Sequence, residues 1–433
     1  MQLHPEFVKR MEEELGAQAP AFFSSYEEKS QIGLRMSARK GFIPDFDRVP
    51  WCPLGYYVPD DLRMGKDPLH AAGAYYLQEP SAMAPAEALG IQPGMRVLDL
   101  CAAPGGKSTQ LADRLQGRGL LVANEIHTGR ARILLENVER MGIPNAVVLN
   151  ESPDRIAKHF GPWFDAVLVD APCSGEGMFR RVPAAIDQWT PESPRRCHER
   201  QVEILESAAL CLRGGGTMVY STCTFNRVEN EHTIERFLAR HPEFHLDGSL
   251  QLPGIPCKDG MAHLYPHQLS GEGHFLARLI KNGDDERELL TFRPQKPDPR
   301  WVKFAAESLS TLDYVGFYTQ GEWLYTLPDN MPELTGLHVL RAGVQLGRLA
   351  AGRLEPAHAL ALAVAPQCVS LRFDVNDEEA LRYLHGETLS GHGAGWGLVT
   401  YKSLPLGWGK CSDGQVKNHY PKGLRWKTTR NSE

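Results

Sequence analysis

The sequence predicts an α/β fold in which a mostly parallel β-sheet is covered by helices on both faces. From about residue 86 to residue 280, short β-rich runs alternate with segments of helical pattern, which is the order typical of a parallel sheet. Three of these runs are followed directly by short motifs rich in glycine, proline and cysteine. Hydrophobic residues make up 42% of the chain and charged residues 23%, as in ordinary globular proteins. No apolar run reaches the roughly 18 residues of a membrane span.

The elements of this region can be placed in order from their patterns. We predict strands at Met95–Leu100, Leu120–Glu125, Ala146–Leu149, Phe164–Val169, Thr217–Tyr220 and His274–Ile280. We predict helices between them at Ser108–Leu115, Gly129–Met141, His198–Leu212 and Asn226–Arg240. In open parallel sheets the ligand crevice lies outside the carboxyl ends of the strands. We therefore expect the motifs that follow the strands to share one crevice.

The regions on either side differ in composition. Residues 1–85 form a separate block with helical patterns at Pro5–Leu15 and Pro20–Tyr26. Residues 283–300 are charged and proline-rich, which predicts a linker. The final block, from about residue 366 to residue 433, is rich in glycine, tryptophan and tyrosine and has short strand patterns. It is predicted to be a small β-rich module.

Charge is distributed unevenly along the chain. The net charge is −6, yet residues 401–433 contain seven basic and two acidic residues, a local charge of +5. The basic residues there are Lys402, Lys410, Lys417, Lys422, Arg425, Lys427 and Arg430. A local basic patch can bind phosphate groups even when the whole protein is acidic. The alternative is a solvated tail that binds nothing.

The nine cysteines are scattered along the chain, and none belongs to a C-x-x-C pair. An odd number at such spacings disfavours a disulfide framework and a structural zinc site, so we expect no metal. We expect free thiols in a reducing cytoplasm. The N-terminus shows no basic region followed by an apolar run, so no secretory signal is predicted.

A glycine-rich segment, Asp99–Lys107, follows the first predicted strand and precedes a helix. Its small residues let a ligand approach the backbone closely, and the helix N-terminus offers free N–H groups. The G-x-G-x-x-G pattern of dinucleotide-binding folds is absent from it, which disfavours a nicotinamide oxidoreductase. Glu125 ends the next strand, where its carboxylate could accept hydrogen bonds from ribose hydroxyls. The pattern predicts a site for an adenosine-containing ligand without a pyrophosphate, rather than a generic β–α turn.

Two cysteines occupy equivalent places after later strands. Cys173 lies in Asp170–Gly177 and Cys223 lies in Ser221–Thr224, each directly after a predicted strand. Packing in the core is the usual role of a cysteine, but a cysteine that only fills the core has no reason to lie at that edge. We therefore expect both thiols to face the ligand crevice.

A pair of thiols beside such a ligand suits one kind of methyl transfer. Carbon 5 of a pyrimidine is a poor nucleophile, and addition of a thiolate to C6 gives it the enamine character with which it can attack a sulfonium methyl group. Loss of the C5 proton and expulsion of the thiolate then need a base, which a second cysteine could supply. Methylation of an amino nitrogen needs no thiol and would leave Cys173 and Cys223 unexplained.

Two charged residues could assist this chemistry. Lys107 could favour the thiolate, because only about 3% of a free thiol is ionised at pH 7. Asp170, if protonated, could donate a hydrogen bond to N3 of the ring; alternatively it ends its strand as a turn residue. The residues alone do not decide which cysteine attacks. DNA cytosine-5 methyltransferases use a Pro-Cys thiol, which here would be Cys173.

Three motifs together resemble the Sun family of RNA (cytosine-5)-methyltransferases, namely Asp99–Lys107, Asp170–Gly177 and Tyr220–Asn226. The layout of the whole chain is similar to the bacterial RsmF (YebU) type. At the end of the chain, Pro405–Lys410 and Lys417–Arg425 are similar to the PUA-like module of that type.

The resemblance implies a Rossmann-like S-adenosylmethionine-dependent methyltransferase core at residues 86–283. It also implies an N-terminal RNA-recognition region at residues 1–85 and a linker and connecting domain at residues 284–365. A small C-terminal β-rich PUA-like RNA-binding module is implied at residues 366–433.

The resemblance also implies roles for single residues. In the family the thiol of the Thr-Cys motif adds to C6, so Cys223 is implied as the nucleophile, while Cys173 assists proton removal and product release. The implied cofactor contacts are Cys101, Ala102, Ala103, Pro104, Gly105, Gly106, Lys107, Glu125, Arg130 and Asp170. A contact to the adenine is implied within Asn150–Asp154, where the spacing does not choose between Ser152 and Asp154.

The implied reaction is transfer of a methyl group from S-adenosylmethionine to C5 of cytosine in RNA, most directly the 16S ribosomal RNA of the small subunit. The alternatives are a methyltransferase that acts on tRNA and a non-catalytic RNA-binding ribosome-assembly factor that keeps the fold. We expect a cytoplasmic monomer that binds ribosomal RNA or the small ribosomal subunit, because RNA must wrap its surface. The target base must be single-stranded or flipped out. Trp408, Tyr420 and Trp426 could stack on bases or fill the core of the C-terminal module.

Overall fold

The computed structural model describes residues 3–59, 61–310, 314, 316–328 and 330–427. The helices of these residues are α1 (Pro5–Leu15), α2 (Ala19–Ser24), α3 (Pro68–Ala71), α4 (Ala84–Ala88), α5 (Gly106–Leu115), α6 (Thr128–Arg140), α7 (Pro153–Phe160), α8 (Ala184–Gln188), α9 (Ser193–Cys211), α10 (Glu231–Arg240), α11 (Pro299–Ser308), α12 (His358–Ala363) and α13 (Asp377–His385). In this described part of the chain, none of the helices has the length and apolarity needed to cross a membrane.

The strands of the described residues form four sheets. They are β1 (Gly33–Met36), β2 (Gly55–Tyr57), β3 (Tyr75–Leu77), β4 (Arg96–Asp99), β5 (Leu120–Asn124), β6 (Ala146–Leu149), β7 (Phe164–Asp170), β8 (Leu212–Thr222), β9 (Phe244–Leu246), β10 (Cys257–Lys258), β11 (Met261–Leu264), β12 (His274–Lys281), β13 (Phe317–Gln320), β14 (Trp323–Thr326), β15 (Val339–Ala342), β16 (Val344–Ala350), β17 (Arg353–Pro356), β18 (Arg372–Val375), β19 (Leu389–Ser390), β20 (Gly395–Tyr401), β21 (Leu404–Ser412) and β22 (Gln415–Asn418).

One ten-stranded sheet organises the middle of the chain. Its strand order is β10-β11-β12-β8-β7-β4-β5-β6-β15, with β9 paired to β12. The central strands β8, β7, β4, β5 and β6 are parallel to their neighbours within this group. β12 and β15 run antiparallel to β8 and β6. This parallel core, joined through helices, confirms the predicted α/β class and its Rossmann-like architecture.

Alternate residues along the parallel strands face opposite layers of helices, because successive side chains of a strand point to opposite faces. Val97 and Leu121 pack in one apolar cluster with residues of α5 and α6, whereas Leu98 and Val122 pack in another with residues of α7 and α9. All four side chains are buried. Full burial of such a side chain stabilises the fold by about 1.5–3 kcal/mol. The strands therefore form a rigid frame that fixes the loops at their ends.

The predicted elements differ from the observed ones most around β8. The predicted helix His198–Leu212 runs instead over Ser193–Cys211, and the three glycines that follow, 214–216, lie inside β8. The N–H of Gly214 donates to the carbonyl of Asp285 at 2.7 Å. A Cβ on Gly214 would lie 2.5 Å from backbone atoms of Gly283 and Asp284, so glycine is needed for the two segments to come this close.

The helix predicted at Asn226–Arg240 begins only at Glu231. The side chain of Asn226 accepts a hydrogen bond from the N–H of Val228 at 3.0 Å, which closes a turn rather than a helix. Residues 226–230 are therefore held as a loop next to the end of β8.

The N-terminal region contributes a three-stranded antiparallel sheet with the order β2-β1-β3. Arg35, in β1, is completely buried and pairs with Asp113 of α5 at 2.6 Å. It also donates to Thr109 Oγ1 at 2.6 Å and to the carbonyl of Gly106 at 3.3 Å. Loss of either partner of a buried ion pair leaves a buried charge uncompensated. The N-terminal sheet is thus fastened to the helix that follows the glycine-rich segment.

The region between the central domain and the C-terminal module has a four-stranded sheet of its own, β13-β14-β16-β17. β15, which lies between β14 and β16 in the chain, does not join this sheet. It pairs with β6 and extends the central sheet at its edge. The N–H of Asn150 donates to the carbonyl of His338 at 3.0 Å, and the N–H of His338 donates to Glu151 Oε1 at 2.6 Å. The connecting region therefore braces the loop that follows β6.

The C-terminal module is a five-stranded sheet with the order β18-β20-β21-β22-β19. Trp408 is 1% exposed and Tyr420 is 6% exposed, so both are core residues and cannot stack on a base. The indole N–H of Trp408 donates to the carbonyl of Ala357 at 2.9 Å. Trp426 is half-buried beside His385. Arg430, counted in the basic tail, lies outside the described residues.

Candidate active site

Three loops that follow parallel strands meet at the carboxyl edge of the central sheet. β4 leads into the segment Asp99–Lys107, β7 ends at Asp170, and β8 ends just before Cys223. β7 lies between β4 and β8 in the sheet, and its register pairs Asp170 with Ser221. The three motifs consequently lie side by side, as expected from the strand order.

The two motif cysteines are in contact. Sγ of Cys173 lies 3.3 Å from Sγ of Cys223, and both residues are half-buried. The N–H of Gly177 donates to the carbonyl of Cys223 at 2.9 Å, and a Cβ on Gly177 would lie 3.0 Å from that oxygen. The hydrogen bond with Cys223 and burial together raise the pKa of Cys173 well above its ordinary value. Cys173 therefore keeps its proton at neutral pH and can donate it to the sulfur of Cys223.

Lys107, Asp170 and His274 form a buried ionic cluster at the same edge. Lys107 Nζ lies 2.8 Å from Asp170 Oδ2, Ser221 Oγ donates to Asp170 Oδ1 at 2.8 Å, and His274 Nε2 lies 3.7 Å from that oxygen. Burial alone would raise the pKa of Asp170, but Lys107 and His274 outweigh it and hold this pKa well below its usual range. Burial likewise lowers the pKa of Lys107, and the carboxylate of Asp170, with a smaller contribution from Cys223, more than reverses this effect. Both groups are charged at neutral pH.

This charge state corrects one part of the role expected for Asp170. An ionised carboxylate only accepts hydrogen bonds. The expected donation from a protonated Asp170 to N3 of the base does not fit, because Lys107 stabilises the ionised form at 2.8 Å. The oxygens of Asp170 suit an N–H donor on the base instead.

His274 belongs to none of the motifs found in the sequence. It is the first residue of β12 and is 4% exposed. Because β12 runs antiparallel to β8, its first residue lies at the edge where the parallel strands end. Sheet topology, rather than any local pattern, brings this imidazole to Asp170.

The glycine-rich segment forms a tight loop between β4 and α5. Gly105 has a φ of +112°, in the region that favours glycine. Two side chains of α6 hold the loop from outside: Arg130 Nη2 donates to the carbonyl of Ala103 at 2.7 Å, and Asn137 Nδ2 donates to that of Pro104 at 2.9 Å. Arg130 thus shapes the loop, and Asn137 is a further support that the sequence motifs did not reveal. The loop contains the implied cofactor contacts Cys101, Ala102, Ala103, Pro104, Gly105 and Gly106.

Two buried carboxyl groups flank this loop. Glu125 is 3% exposed; its Oε1 accepts from the N–H of His127 at 2.9 Å, and its Oε2 lies 3.2 Å from Arg130 Nη1. Asp99 Oδ2 accepts from Ser108 Oγ at 2.6 Å, while its buried Oδ1 has no hydrogen-bond partner among the described residues. Burial raises the pKa of Asp99 to about 7, although the hydrogen bond from Ser108 acts against it. A buried acceptor without a partner, next to a glycine-rich loop, is suited to a ligand that carries a hydrogen-bond donor.

The two candidates for the adenine contact lie in different environments. Ser152 is half-buried at the cap position of α7, and Asp154 is exposed in its first turn. Ser152 Oγ donates to Asp154 Oδ1 at 2.5 Å. The contact of either residue with adenine stays a prediction, and the half-buried position favours Ser152. In the described part of the chain, no group of three or more His, Cys, Asp or Glu side chains is placed to hold a metal ion.

Glu229 is a buried carboxyl group that holds the loop of Cys173. It accepts hydrogen bonds from the N–H of Ser174 at 2.9 Å, from Gln201 Nε2 at 3.0 Å and from the hydroxyl of Ser174. The hydroxyl of Tyr220 donates to the carbonyl of Glu229 at 2.6 Å. Burial raises the pKa of Glu229 to about 7, against the hydrogen bonds from Ser174. Glu229 therefore connects the end of β8 with the loop that carries the second thiol.

Glu176 makes a similar connection to the N-terminal region. Its Oε1 lies 2.6 Å from Arg10 Nη2 of α1 and accepts from Trp189 Nε1 at 3.2 Å. Its Oε2 accepts from the N–H of Phe225, two residues after Cys223, at 3.2 Å. This carboxylate thus ties α1 to both thiol loops. The motif Asp170–Gly177 contains Glu176, but nothing in the sequence indicates its partners.

We expect Glu229→Gln to change the pH dependence of stability. The folded-state pKa of Glu229 is raised from 4.5 to about 7, so its contribution to stability is fully present below 4.5 and is lost as the pH rises through about 7. Glutamine resembles the protonated form at every pH. The variant should therefore gain stability relative to the unmodified protein between about pH 5 and about pH 8, by up to about 3 kcal/mol. Chemical denaturation at both pH values measures the difference.

A matched control is Glu235→Gln, since Glu235 is an exposed glutamate in the following helix, α10. It should leave the pH dependence of unfolding unchanged. If the stability difference between Glu229→Gln and the unmodified protein is equal at both pH values, the burial account of Glu229 is wrong.

The four regions of the chain each match a known family model. Residues 86–280 match the model described as 16S rRNA methyltransferase RsmB/F. Residues 3–80 match the N-terminal domain of 16S rRNA methyltransferase RsmF, and residues 303–364 match the first C-terminal domain of RsmF rRNA methyltransferase. Residues 370–426 match the methyltransferase RsmF PUA domain.

Individual relatives cover most of the chain. It is 33% identical over 403 residues to ribosomal RNA small subunit methyltransferase F of Cronobacter sakazakii, which covers 87% of this chain and 84% of the relative. It is 31% identical over 452 aligned residues to the protein of that name from Escherichia coli O157:H7, covering 93% and 92% of the two chains. A solved methyltransferase homologue from Pyrococcus horikoshii is 27% identical, with a TM-score of 0.54 over 64% of this chain and 100% of that one. The motif resemblance is thereby confirmed, and the chain belongs to the family of ribosomal RNA small subunit methyltransferase F.

Proposed function

We propose that this chain transfers a methyl group from S-adenosylmethionine to C5 of a cytosine in 16S ribosomal RNA. The observation that carries the proposal is the pair of thiols, Cys173 and Cys223, 3.3 Å apart where β7 and β8 end. Methyl transfer to nitrogen or oxygen needs no thiol, whereas transfer to C5 needs a nucleophile at C6. The relatives' names, which specify ribosomal RNA of the small subunit, agree with this chemistry.

The residues around the glycine-rich loop fit S-adenosylmethionine. Glu125 would accept hydrogen bonds from the ribose hydroxyls, and the unpartnered Oδ1 of Asp99 would accept one from a donor on the ligand. Arg130 would keep the loop in shape, and Ser152 would contact the adenine. When bound, this cofactor supplies an electrophilic methyl group on sulfur.

Cys223 is the nucleophile in this proposal, as its Thr-Cys position in the family implies. Its sulfur electron pair forms the bond to C6, the π electrons of the C5–C6 bond move to C5, and C5 takes the methyl group. Two neighbours interact with this sulfur: the thiol of Cys173 can donate a hydrogen bond to it, and the ammonium group of Lys107 adds positive charge nearby.

Product release requires the reverse movement of electrons. A base takes the proton from C5, the C5–C6 double bond forms again, and the bond between C6 and sulfur breaks, so that Cys223 leaves as a thiolate. Cys173 is proposed to assist, directly or through a water molecule. To accept the proton from C5, Cys173 must first give up its own. Loss of the hydrogen bond with Cys223, once that sulfur is bonded to carbon, lowers the pKa of Cys173, whereas burial still raises it.

Asp170 is proposed to recognise the base. Its ionised oxygens can accept a hydrogen bond from the 4-amino group of cytosine, which uracil lacks. Lys107, at 2.8 Å from Asp170, and His274 keep this carboxylate ionised and in place.

The proposal includes the partner and the roles of the flanking regions. Residues 1–85 would recognise RNA, residues 86–283 would carry catalysis, residues 284–365 would connect, and residues 366–433 would bind RNA. The partner would be ribosomal RNA or the small subunit, met by a monomer in the cytoplasm. A tRNA substrate is the rival target. A non-catalytic assembly factor is disfavoured, because the thiol pair, the ionic cluster and the cofactor loop are all intact.

We expect Cys223→Ala to lower methyl transfer by at least ~10³-fold, since the nucleophile is lost, while S-adenosylmethionine affinity stays near normal. The unmodified protein or the Cys223→Ala variant would be expressed in cells that lack this protein. Bisulfite sequencing would then measure 5-methylcytosine in their 16S ribosomal RNA and tRNA. Cys257→Ala, at a half-buried thiol in β10, is the matched control. Methylation restored by Cys223→Ala would remove Cys223 from the mechanism. Methylation lost only in tRNA would favour the rival target.

We expect Cys173→Ala to accumulate a covalent complex between protein and RNA, because addition to C6 still occurs while release is slowed. Denaturing gel electrophoresis should show labelled RNA of reduced mobility, bound covalently to the protein, and this band should be absent with Cys257→Ala. The absence of a trapped complex, with turnover near that of the unmodified protein, would contradict the role of Cys173 in release.

A further inference from the structure

A second cleft lies away from the thiols, where the connecting region meets the C-terminal module. It has a volume of about 590 Å³. The residues that line it include Trp323, Arg348, Glu355, His358, Trp396 and Lys410. None of the described residues that line it belongs to the glycine-rich loop or to either thiol loop. We call it the junction cleft. Its volume lies in the range of small-ligand sites.

An aromatic platform with a cation forms one wall of the junction cleft. Trp396 of β20 is half-buried, and its ring centroid lies 4.4 Å from that of His419. The register of the sheet pairs Trp396 with Lys410 of β21, and Lys410 Nζ lies 5.4 Å from the centroid of the indole ring. Trp396 thus differs from Trp408, which is closed inside the core. A half-buried indole beside an ammonium group can hold a base and its phosphate.

The opposite wall is polar and comes from the connecting region. Arg348 of β16 pairs with Glu355 of β17 at 2.7 Å, and both are half-buried. Gln345 adds an amide, whose Nε2 donates to the hydroxyl of Tyr325 at 3.0 Å. A carboxylate and an amide are the groups that read hydrogen-bonding edges of bases, and an arginine suits phosphate.

A buried ring nitrogen in the cleft wall also lacks a partner. His358, the first residue of α12, has a buried Nδ1 without a hydrogen-bond partner among the described residues. Burial lowers the pKa of His358 to about 4, so the imidazole is neutral near pH 7. Buried polar atoms of this kind are normally satisfied by a partner or by water.

We propose that the junction cleft binds one unpaired nucleotide of RNA, with its base stacked on Trp396 and a phosphate next to Lys410. The inference rests on the proposed function, in that the RNA is the substrate of the enzyme. It adds a recognition site lined by the connecting region and the C-terminal module, together with Glu139 of α6 in the central domain. The arrangement fits RNA rather than an apolar peptide, because the cleft combines one stacking surface with the exposed ammonium group of Lys410 and with polar side chains.

The test uses the full chain and a fluorescein-labelled single-stranded oligoribonucleotide of mixed sequence, with binding followed by fluorescence anisotropy. Trp396→Ala should weaken binding by about 5- to 100-fold, and Trp396→Phe, which keeps a stacking ring, should restore most of it. Lys410→Ala should reduce the slope of log Kd against log salt by about 0.7, the value for one phosphate contact on a single strand. Binding of the same sequence as a duplex should not depend on Trp396.

Lys303→Ala is the matched control. Lys303 is exposed in α11 of the connecting region, and it lies outside the cleft. It should leave the salt slope unchanged. Unaltered S-adenosylmethionine affinity in each variant shows that the fold is intact.

Equal RNA affinity of Trp396→Ala and the unmodified protein would overturn the inference, as would an equal change of slope in Lys303→Ala and Lys410→Ala. Methyl transfer by the unmodified protein is measured separately on 16S ribosomal RNA. If it occurs while binding is independent of Trp396, the cleft proposal alone fails. If binding depends on Trp396 but no cytosine is methylated, the proposed function fails and the cleft proposal stands.

Discussion

The parallel pairing of β7 with β8 is the constraint on which the site depends. Cys173 and Cys223 are 50 residues apart in the chain, and this pairing brings their sulfur atoms to 3.3 Å. The strands are buried on both faces, so their register cannot slip without moving many apolar side chains into water. The stability of the sheet therefore sets the geometry of the thiols.

Charged side chains surround the two thiols. Lys107 lies in the first turn of α5, Asp170 ends β7 and His274 begins β12, so the three side chains come from three different elements. Lys107 is buried and would be unstable as a charge without the half-buried carboxylate of Asp170, because an unpaired buried charge costs several kcal/mol. Outside this cluster, Glu229 and Glu176 fix the thiol loops to β8 and to the N-terminal helix. The position of α1 is thus coupled to the thiol loops through Glu176.

Local patterns in the sequence were sufficient for the parts of the site that are continuous in the chain. The glycine-rich segment, the two cysteine motifs and Glu125 each follow a strand, and strand ends are visible as breaks in apolar runs. His274 and Glu229 could not be found in this way, since β12 is antiparallel and the loop of Glu229 depends on a turn at Asn226. The stacking role of Trp408 could not be decided from sequence either, because glycine-rich β-strands place aromatic rings inside or outside according to register. The pairing of β15 with β6 is a long-range contact without a local signal.

The central claim is that the sulfur of Cys223 bonds to C6 of the target cytosine. It is tested most directly with a fragment of 16S ribosomal RNA in which cytosine is replaced by 5-fluorocytosine. Fluorine cannot leave C5 as a proton, so the covalent complex persists after methyl transfer. Digestion followed by peptide mass spectrometry should then place the nucleotide on the peptide that contains Cys223. A nucleotide on Cys173, or no covalent complex under conditions where unsubstituted RNA is methylated, would contradict this account.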